Sequence, residues 1–387
     1  MERIDAVKLS LFGRGAIRLL PAELKKMGIR RALIVTDRFL YESGAADRVG
    51  EALLEGDVEY AVYYQVQPNP TVAVVNECIE AARALQVDLL VAVGGGSAID
   101  TAKAVSIVTA NGGRVEDYEG QGKSHVAGIP IVAVNTTAGT GSEVTSFYIV
   151  TDPVKHSKMA MVDTNCMVWI AVNDVDFMMS MPPKLTAATG MDALTHAIEA
   201  LLARRATPYT DKDALWAMET VYRYLPAAYE NGQDEEARTM MAYAEHAAGM
   251  AFSNAGLGMV HAMAHALGGT YNLPHGVCNA VLLPYVLEFN GASPEAARRF
   301  GAVVRAFHLP GAEGMAGSQA VAAGIRAVRE LSRTVGIPQS LQSFEQVRQE
   351  DFEGLARLAV KDTCMSDNLI LPDVEDVVKV YRRAFAG

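Results

Sequence analysis

The sequence predicts an α/β unit built on a parallel sheet, followed by an all-helical unit, with the boundary near residue 180. Three observations lead there. Short Val- and Ile-rich runs alternate with helix-spaced stretches through the first half, as in a sheet covered by helices on both faces. After Pro182 and Pro183 the β-branched pattern fades, and Ala, Leu, Met, Glu and Arg recur at the period of packed helices. The length, 387 residues, suits two or three units at roughly 150 residues each.

In chain order, strands are expected at ALIVT (32–36), YAVYY (60–64), DLLVAV (88–93), IPIVAVN (129–135) and MVWIAVN (167–173). Helical spacing falls between them, over 71–85 and 99–109. In the second half, Pro226, Gly232, Pro274, Pro294, Pro310, Gly314, Gly317, Pro338 and Pro372 are expected to mark connections. No internal repeat or low-complexity segment interrupts either half.

Half of the residues are hydrophobic and a fifth charged, which excludes a disordered chain. Thirty-four basic against 45 acidic residues give 34 − 45 = −11, which disfavours nucleic acid and anionic membrane surfaces and favours a small soluble ligand. No window reaches the roughly 18 apolar residues of a membrane span. The opening MERIDAVKLSLFGRG lacks the apolar block of a signal peptide, so a cytoplasmic location is expected. Cys78, Cys166, Cys278 and Cys364 form no CxxC pair and are expected to be buried free thiols.

Two loops carry nucleotide chemistry. GGGSAID at 94–100, Gly94, Gly95, Gly96 and Ser97 leading, lies between an expected strand and a helix, where glycines admit a ligand and helix N–H groups meet a phosphate. It is neither GxGxxG, because Ile99 takes the third glycine position, nor a Walker loop. NTTAGTGSE at 135–143 offers Thr136, Thr137, Thr140 and Ser142 as hydroxyl donors. Asp37, ending the first strong strand, suits the two hydroxyls of an adenosine ribose and favours NAD over NADP; it equally suits a helix N-cap. Asn69 is either a turn residue or a ligand contact.

Histidine spacing carries the second signal. Asp192 and His196 are four apart, as are His261 and His265, so each pair shares a helix face, and His275 follows in a Pro-His-Gly turn. A carboxylate with several imidazoles suits Fe, Zn, Co or Ni better than Ca or Mg. His125, His156, His246 and His308 have no such partners in sequence and are read as structural. No GxSxG elbow or paired-carboxylate motif offers a rival chemistry.

These residues resemble the iron-containing (group III) alcohol dehydrogenase family, which includes lactaldehyde reductase and 1,3-propanediol dehydrogenase. The resemblance spans nearly the whole chain and rests on VTD at 35–37, NP at 69–70, GGGSxxDxxK at 94–103, TTAGTGSE at 136–143, MPPKLTAATGMDALTHAIEA at 181–200 and GLGMVHAMAHALGGTYNLPHGVCNAVLLP at 256–284. It implies a Rossmann-like NAD-binding domain over 1–180 and a helical metal-binding domain over 181–387, the architecture shared with dehydroquinate synthase, with the active site in the interdomain cleft. Asp192, His196, His261 and His275 fall on the metal-ligand positions, for Fe2+ with Zn2+ as the alternative. His265 falls close to the nicotinamide and is the catalytic candidate, as a proton relay. Asp37, Asn69, Gly95, Gly96, Ser97, Asp100, Thr136, Thr137, Thr140, Ser142 and Lys158 fall on cofactor contacts.

Phe147, Phe252 and Cys364 fall on the substrate pocket. Phe147 replaces a polar residue of lactaldehyde reductase, and Asn368-Leu369 stands where an NP pair is common, which argues for a short apolar aldehyde or alcohol over a diol. The implied reaction is reversible hydride transfer between a primary alcohol and NAD(H), in a homodimer or higher homo-oligomer. A glycerol dehydrogenase-like enzyme, a dehydroquinate synthase-like lyase and a silent metal- and nucleotide-binding subunit are the alternatives.

Overall fold

The computed structural model describes residues 3–154 and 157–387, so His156 lies outside the described residues. The chain forms two compact units. One comprises Ile4–Thr137 and Gly141–Ser180; the other includes Met181–Gly387 and Ala138–Thr140.

Among its described residues the first unit holds nine strands: β1 (Leu9–Phe12), β2 (Arg31–Asp37), β3 (Glu59–Val66), β4 (Leu89–Gly94), β5 (Gly120–Gln121), β6 (Ile131–Asn135), β7 (Phe147–Asp152), β8 (Ser157–Val162) and β9 (Ile170–Asn173). Six of them make one sheet in the order β1-β9-β6-β4-β2-β3, parallel at every pairing. Its central strands are apolar without interruption because both faces are buried. Leu33, Val35, Leu90, Ala92, Ile131 and Ala133 enter one core cluster, while Ile34, Val91, Val93, Val132 and Val134, the alternate residues, enter the other. The chain leaves β2 for β3 on one side and returns to β4 on the other, so strand order reverses between β2 and β4. In open parallel sheets such a reversal opens a ligand crevice at the carboxyl ends of the strands, here at Asp37 and Gly94.

All five expected strands and both helices are present, with shifted ends. The second helix begins at Gly96, ahead of the expected Ile99, because first-turn amides need no partner four residues back. The short strand β1, the antiparallel β7–β8 pair and the helices Leu20–Met27, Arg38–Glu42 and Ala45–Glu55 were not foreseen.

The second unit is helical. At its centre the helix Pro183–Leu202 starts with proline in its first turn and is buried at every residue from 186 to 202. It packs against the helices Pro208–Glu230, Glu235–Ala255 and His275–Asn290. Thr207 and Asp234 cap two of these through hydrogen bonds to the amides of Thr210 and Ala237. Pro226, expected at a connection, instead lies inside the helix Pro208–Glu230: the buried neighbours Leu225 and Ala228 hold the backbone helical where proline removes one bond. Among the described residues no helix is long and apolar enough to cross a membrane, and all four cysteines are buried and form no disulfide.

Leu90 is fully buried on β4. Leu90→Ala is expected to cost about 2–5 kcal/mol through the cavity it leaves, read as a lowered urea midpoint; an unchanged midpoint would contradict the core position of β4.

Candidate functional site

A helix with no exposed side from residue 186 to 202 has to satisfy its polar groups inside the protein. Asp192 and His196 stand one turn apart on it, both buried. His261 enters from the helix Met259–Tyr271, also buried, and half-buried His275 is the first residue of the helix His275–Asn290. Donor atoms of Asp192, His261 and His275 lie within 4.8 Å of one another. Asp192 Oδ1 is 3.8 Å from Nε2 of both histidines.

Asn279, one turn after His275, places Nδ2 2.6 Å from Asp192 Oδ1, 3.0 Å from His261 Nε2 and 3.1 Å from His275 Nε2. An amide nitrogen carries two hydrogens and cannot serve three acceptors, and Asn279 Oδ1 itself has no hydrogen-bond partner among the described residues. One carboxylate oxygen and two imidazole nitrogens converging on a point fit a divalent transition ion.

His196 stands outside that group of three but beside it. Its ring stacks on His261 at 4.6 Å and on Phe252 at 4.3 Å, and Nδ1 meets the carbonyl of Gly139 at 3.2 Å, leaving Nε2 as its remaining nitrogen. Only glycine admits that approach: a Cβ on residue 139 would lie 2.4 Å from Thr189 Cβ and 2.6 Å from its carbonyl oxygen. Burial, and then a neighbouring histidine, pushes the pKa of His196 and of His261 down, which keeps both neutral as metal ligation requires.

His265 lies at the edge of this group, its ring stacked on His275 at 5.2 Å. Its Nδ1 is 2.8 Å from Asp362 Oδ2, while Asp362 Oδ1 accepts from the amide of Cys364 at 2.8 Å. Burial raises the Asp362 pKa, but His265 outweighs it and holds the carboxylate below its usual range. Burial drives the Cys364 thiol far up, so it is no nucleophile.

In the first unit the glycine loop sits where β4 ends and the helix Gly96–Asn111 begins. A Cβ on Gly95 would meet Thr137 Oγ1 at 2.6 Å, so the two loops touch only because residue 95 is glycine. The amide of Thr136 bonds to the carbonyl of Gly94, and Ser97 is in the first helical turn. Asp37 both ends β2 and caps the next helix: Oδ1 accepts from the amide of Leu40 at 2.8 Å, while Oδ2 takes no hydrogen bond among the described residues. Asn69 adopts a left-handed backbone with φ 55° just before Pro70. Lys158 lies on β8 opposite Thr151, and Phe147 opens β7.

Asp100 and Ser142 face each other. Asp100 accepts from Ser142 Oγ at 2.6 Å and from the amide of Ile149 at 2.9 Å. Below them Lys103, fully buried, donates to the carbonyls of Ser142, Thr145 and Phe147 at 2.6, 2.8 and 2.7 Å. Burial pulls the Lys103 pKa down, and Asp100 is among the groups that pull it back. Three short bonds to carbonyl oxygens call for the ammonium form.

Family models for the iron-containing alcohol dehydrogenase match residues 8–175, and for the C-terminal part of the Fe-containing alcohol dehydrogenase family residues 186–385. The chain belongs to the iron-containing alcohol dehydrogenase family. It is 45% identical over 375 residues to alcohol dehydrogenase 4 of Schizosaccharomyces pombe, covering 97% of this chain and 87% of that protein. It is 41% identical over 378 residues to the NAD-dependent methanol dehydrogenase of Bacillus methanolicus, covering 97% of each. The crystal structure of a 1,3-propanediol oxidoreductase superposes with a TM-score of 0.95 at 39% identity over 100% of both chains. This iron-containing alcohol dehydrogenase is therefore an oxidoreductase, with the parallel-sheet N-terminal part and helical C-terminal part that the resemblance implied.

Four polar residues of this alcohol dehydrogenase escaped the sequence reading. Glu199 lies seven residues after Asp192 and three after His196, on the same helical face, and holds His261 Nδ1 at 2.6 Å. Asn279 follows His275 by four. Lys103 closes the GGGSxxDxxK motif, but nothing in the motif shows what the lysine holds. Asp362 carries no local signal, since it meets His265 across 97 residues of sequence.

Lys103→Met would strand three buried carbonyls. It is expected to destabilise the protein by about 3–5 kcal/mol, read in thermal unfolding; an unchanged transition would remove Lys103 as the anchor of this loop.

Proposed function

We propose that this enzyme catalyses reversible hydride transfer between a short primary alcohol and NAD(H), with Fe2+ held by Asp192, His196, His261 and His275. The observation that carries this reading is the convergence of Asp192, His261 and His275 on one point that Asn279 cannot satisfy. Bound there, a divalent ion supplies Lewis acidity that lowers the pKa of an alcohol and polarises an aldehyde.

The protein's own residues do the rest. Asn279 orients the ligands. Phe252, stacked on His196, keeps water from that side and, with Cys364, favours a small apolar substrate. Asp362 occupies His265 Nδ1, so Nε2 is the nitrogen His265 offers for relaying the hydroxyl proton. Gly94, Gly95, Gly96 and Ser97 receive the pyrophosphate at a helix N-terminus, and Thr136, Thr137, Thr140, Asn69 and Lys158 complete the cofactor contacts. Asp100 and Ser142 shape the loop from within. Asp37 turns Oδ2 to the adenosine ribose, where a 2′-phosphate would be repelled. The enzyme is expected to act in the cytoplasm as a homodimer or higher homo-oligomer, the latter checked by sedimentation.

Protein stripped by chelator is expected to lose NADH oxidation with short aldehydes and to recover it on anaerobic addition of Fe(II), with Zn(II) as comparison; turnover indifferent to both ions would sink the metal assignment. Asp37→Gly is expected to narrow the preference for NAD over NADP, measured as the ratio of kcat/KM values, and an unchanged ratio would refute the ribose contact.

A further inference from the structure

The helix Met259–Tyr271 begins at Gly258, which has no side chain to cap it. Its buried first-turn amides, which have no partner within the helix, are met instead by a carboxylate from another helix. Glu199 Oε1 accepts from the amide of Val260 at 2.7 Å and Oε2 from that of His261 at 3.4 Å. Gly258 leaves room for this, since a Cβ there would come within 2.9 Å of Oε1. Oε2 also meets His261 Nδ1 at 2.6 Å, and the side chains of both residues are almost fully buried.

We infer that Glu199 is a positioning residue for the metal centre: it fixes the proton of His261 on Nδ1 and so aims an unprotonated Nε2 at Asp192 and His275. The inference rests on the metal-ligand reading above but concerns a residue outside the ligand set. Its logic is one of donors and acceptors. Asn279 Nδ2, 3.0 Å from His261 Nε2, has only hydrogens to offer, so Nε2 accepts and the ring proton lies on Nδ1, facing Glu199 Oε2. A ring that donates from Nδ1 keeps its lone pair on Nε2, the atom 3.8 Å from Asp192 Oδ1. A carboxylate at the start of a helix also suits the positive end of its dipole, so one side chain holds the helix in place and the ring in orientation.

Glu199→Gln separates these functions with little change of shape. If the amide oxygen keeps the N–H of Val260, the amide NH2 points at His261 Nδ1 and drives the ring proton to Nε2, where it blocks coordination. If the amide turns round, NH2 faces the amide of Val260, donor against donor. Two readouts test the inference. Zn(II) affinity of the full chain, by competition with a chromophoric chelator, is expected to fall about 10–100-fold in E199Q while NADH binding and the unfolding temperature of the stripped protein stay near wild type. Unchanged zinc affinity in folded E199Q would overturn the inference. Histidine 15N NMR of the wild-type stripped protein is expected to show His261 protonated at Nδ1, and an Nε2-protonated ring would also overturn it. The NMR readout decides the matter if E199Q fails to fold. Should the wild type take up no zinc, the metal reading falls, and the tautomer still decides for or against Glu199.

Discussion

The chemistry of the second unit depends on burying a helix completely. Between residues 186 and 202 the central helix has no wet face, yet it carries Asp192, His196 and Glu199. Desolvating such groups is expensive unless each finds a partner, and the surrounding helices supply them: His261, Asn279 and the amides that begin the helix Met259–Tyr271. The same desolvation keeps the imidazoles neutral. It raises Glu199 to about 8, against the opposing pull of its amide hydrogen bonds. Packing and chemistry are here one constraint, since the helices that exclude water also present the converging carboxylate and imidazoles.

In the first unit the constraint is the two-sided sheet. Strands buried on both faces offer binding chemistry only at their ends, so Asp37 and the glycine loop stand at carboxyl ends beside the reversal of strand order. Lys103 extends this logic below the surface. Between the second loop and β7 the chain turns sharply, and one buried ammonium gathers the carbonyls of Ser142, Thr145 and Phe147. Asp100 and Ser142, assigned to the cofactor by resemblance, are found bonded to each other, which makes them part of the support of the loop.

What could be read in advance follows from these two constraints. Double burial writes itself as unbroken apolar runs, so β2, β3, β4, β6 and β9 were visible, while the four-residue β1 and the β7–β8 pair left too short or too mixed a pattern. Helical spacing of four made Asp192, His196, His261 and His265 visible as pairs. Glu199 obeyed the same spacing but was passed over, because a glutamate in a helix usually marks a solvated face; only its burial reveals it. Asp362 could not be found at all, since its partner is distant in sequence. Pro226 misled because tertiary packing overruled a local rule.

The absence of any wet position from residue 186 to 202 has an evolutionary corollary. A surface helix drifts freely on its outer side; this one has no outer side, and each change there disturbs either the packing or the buried carboxylate and imidazole. Divergence therefore has to start elsewhere, at side chains such as Phe252 that touch the buried histidines from a neighbouring helix. The buried helix behaves as a fixed chassis, and its neighbours are the parts that selection can exchange.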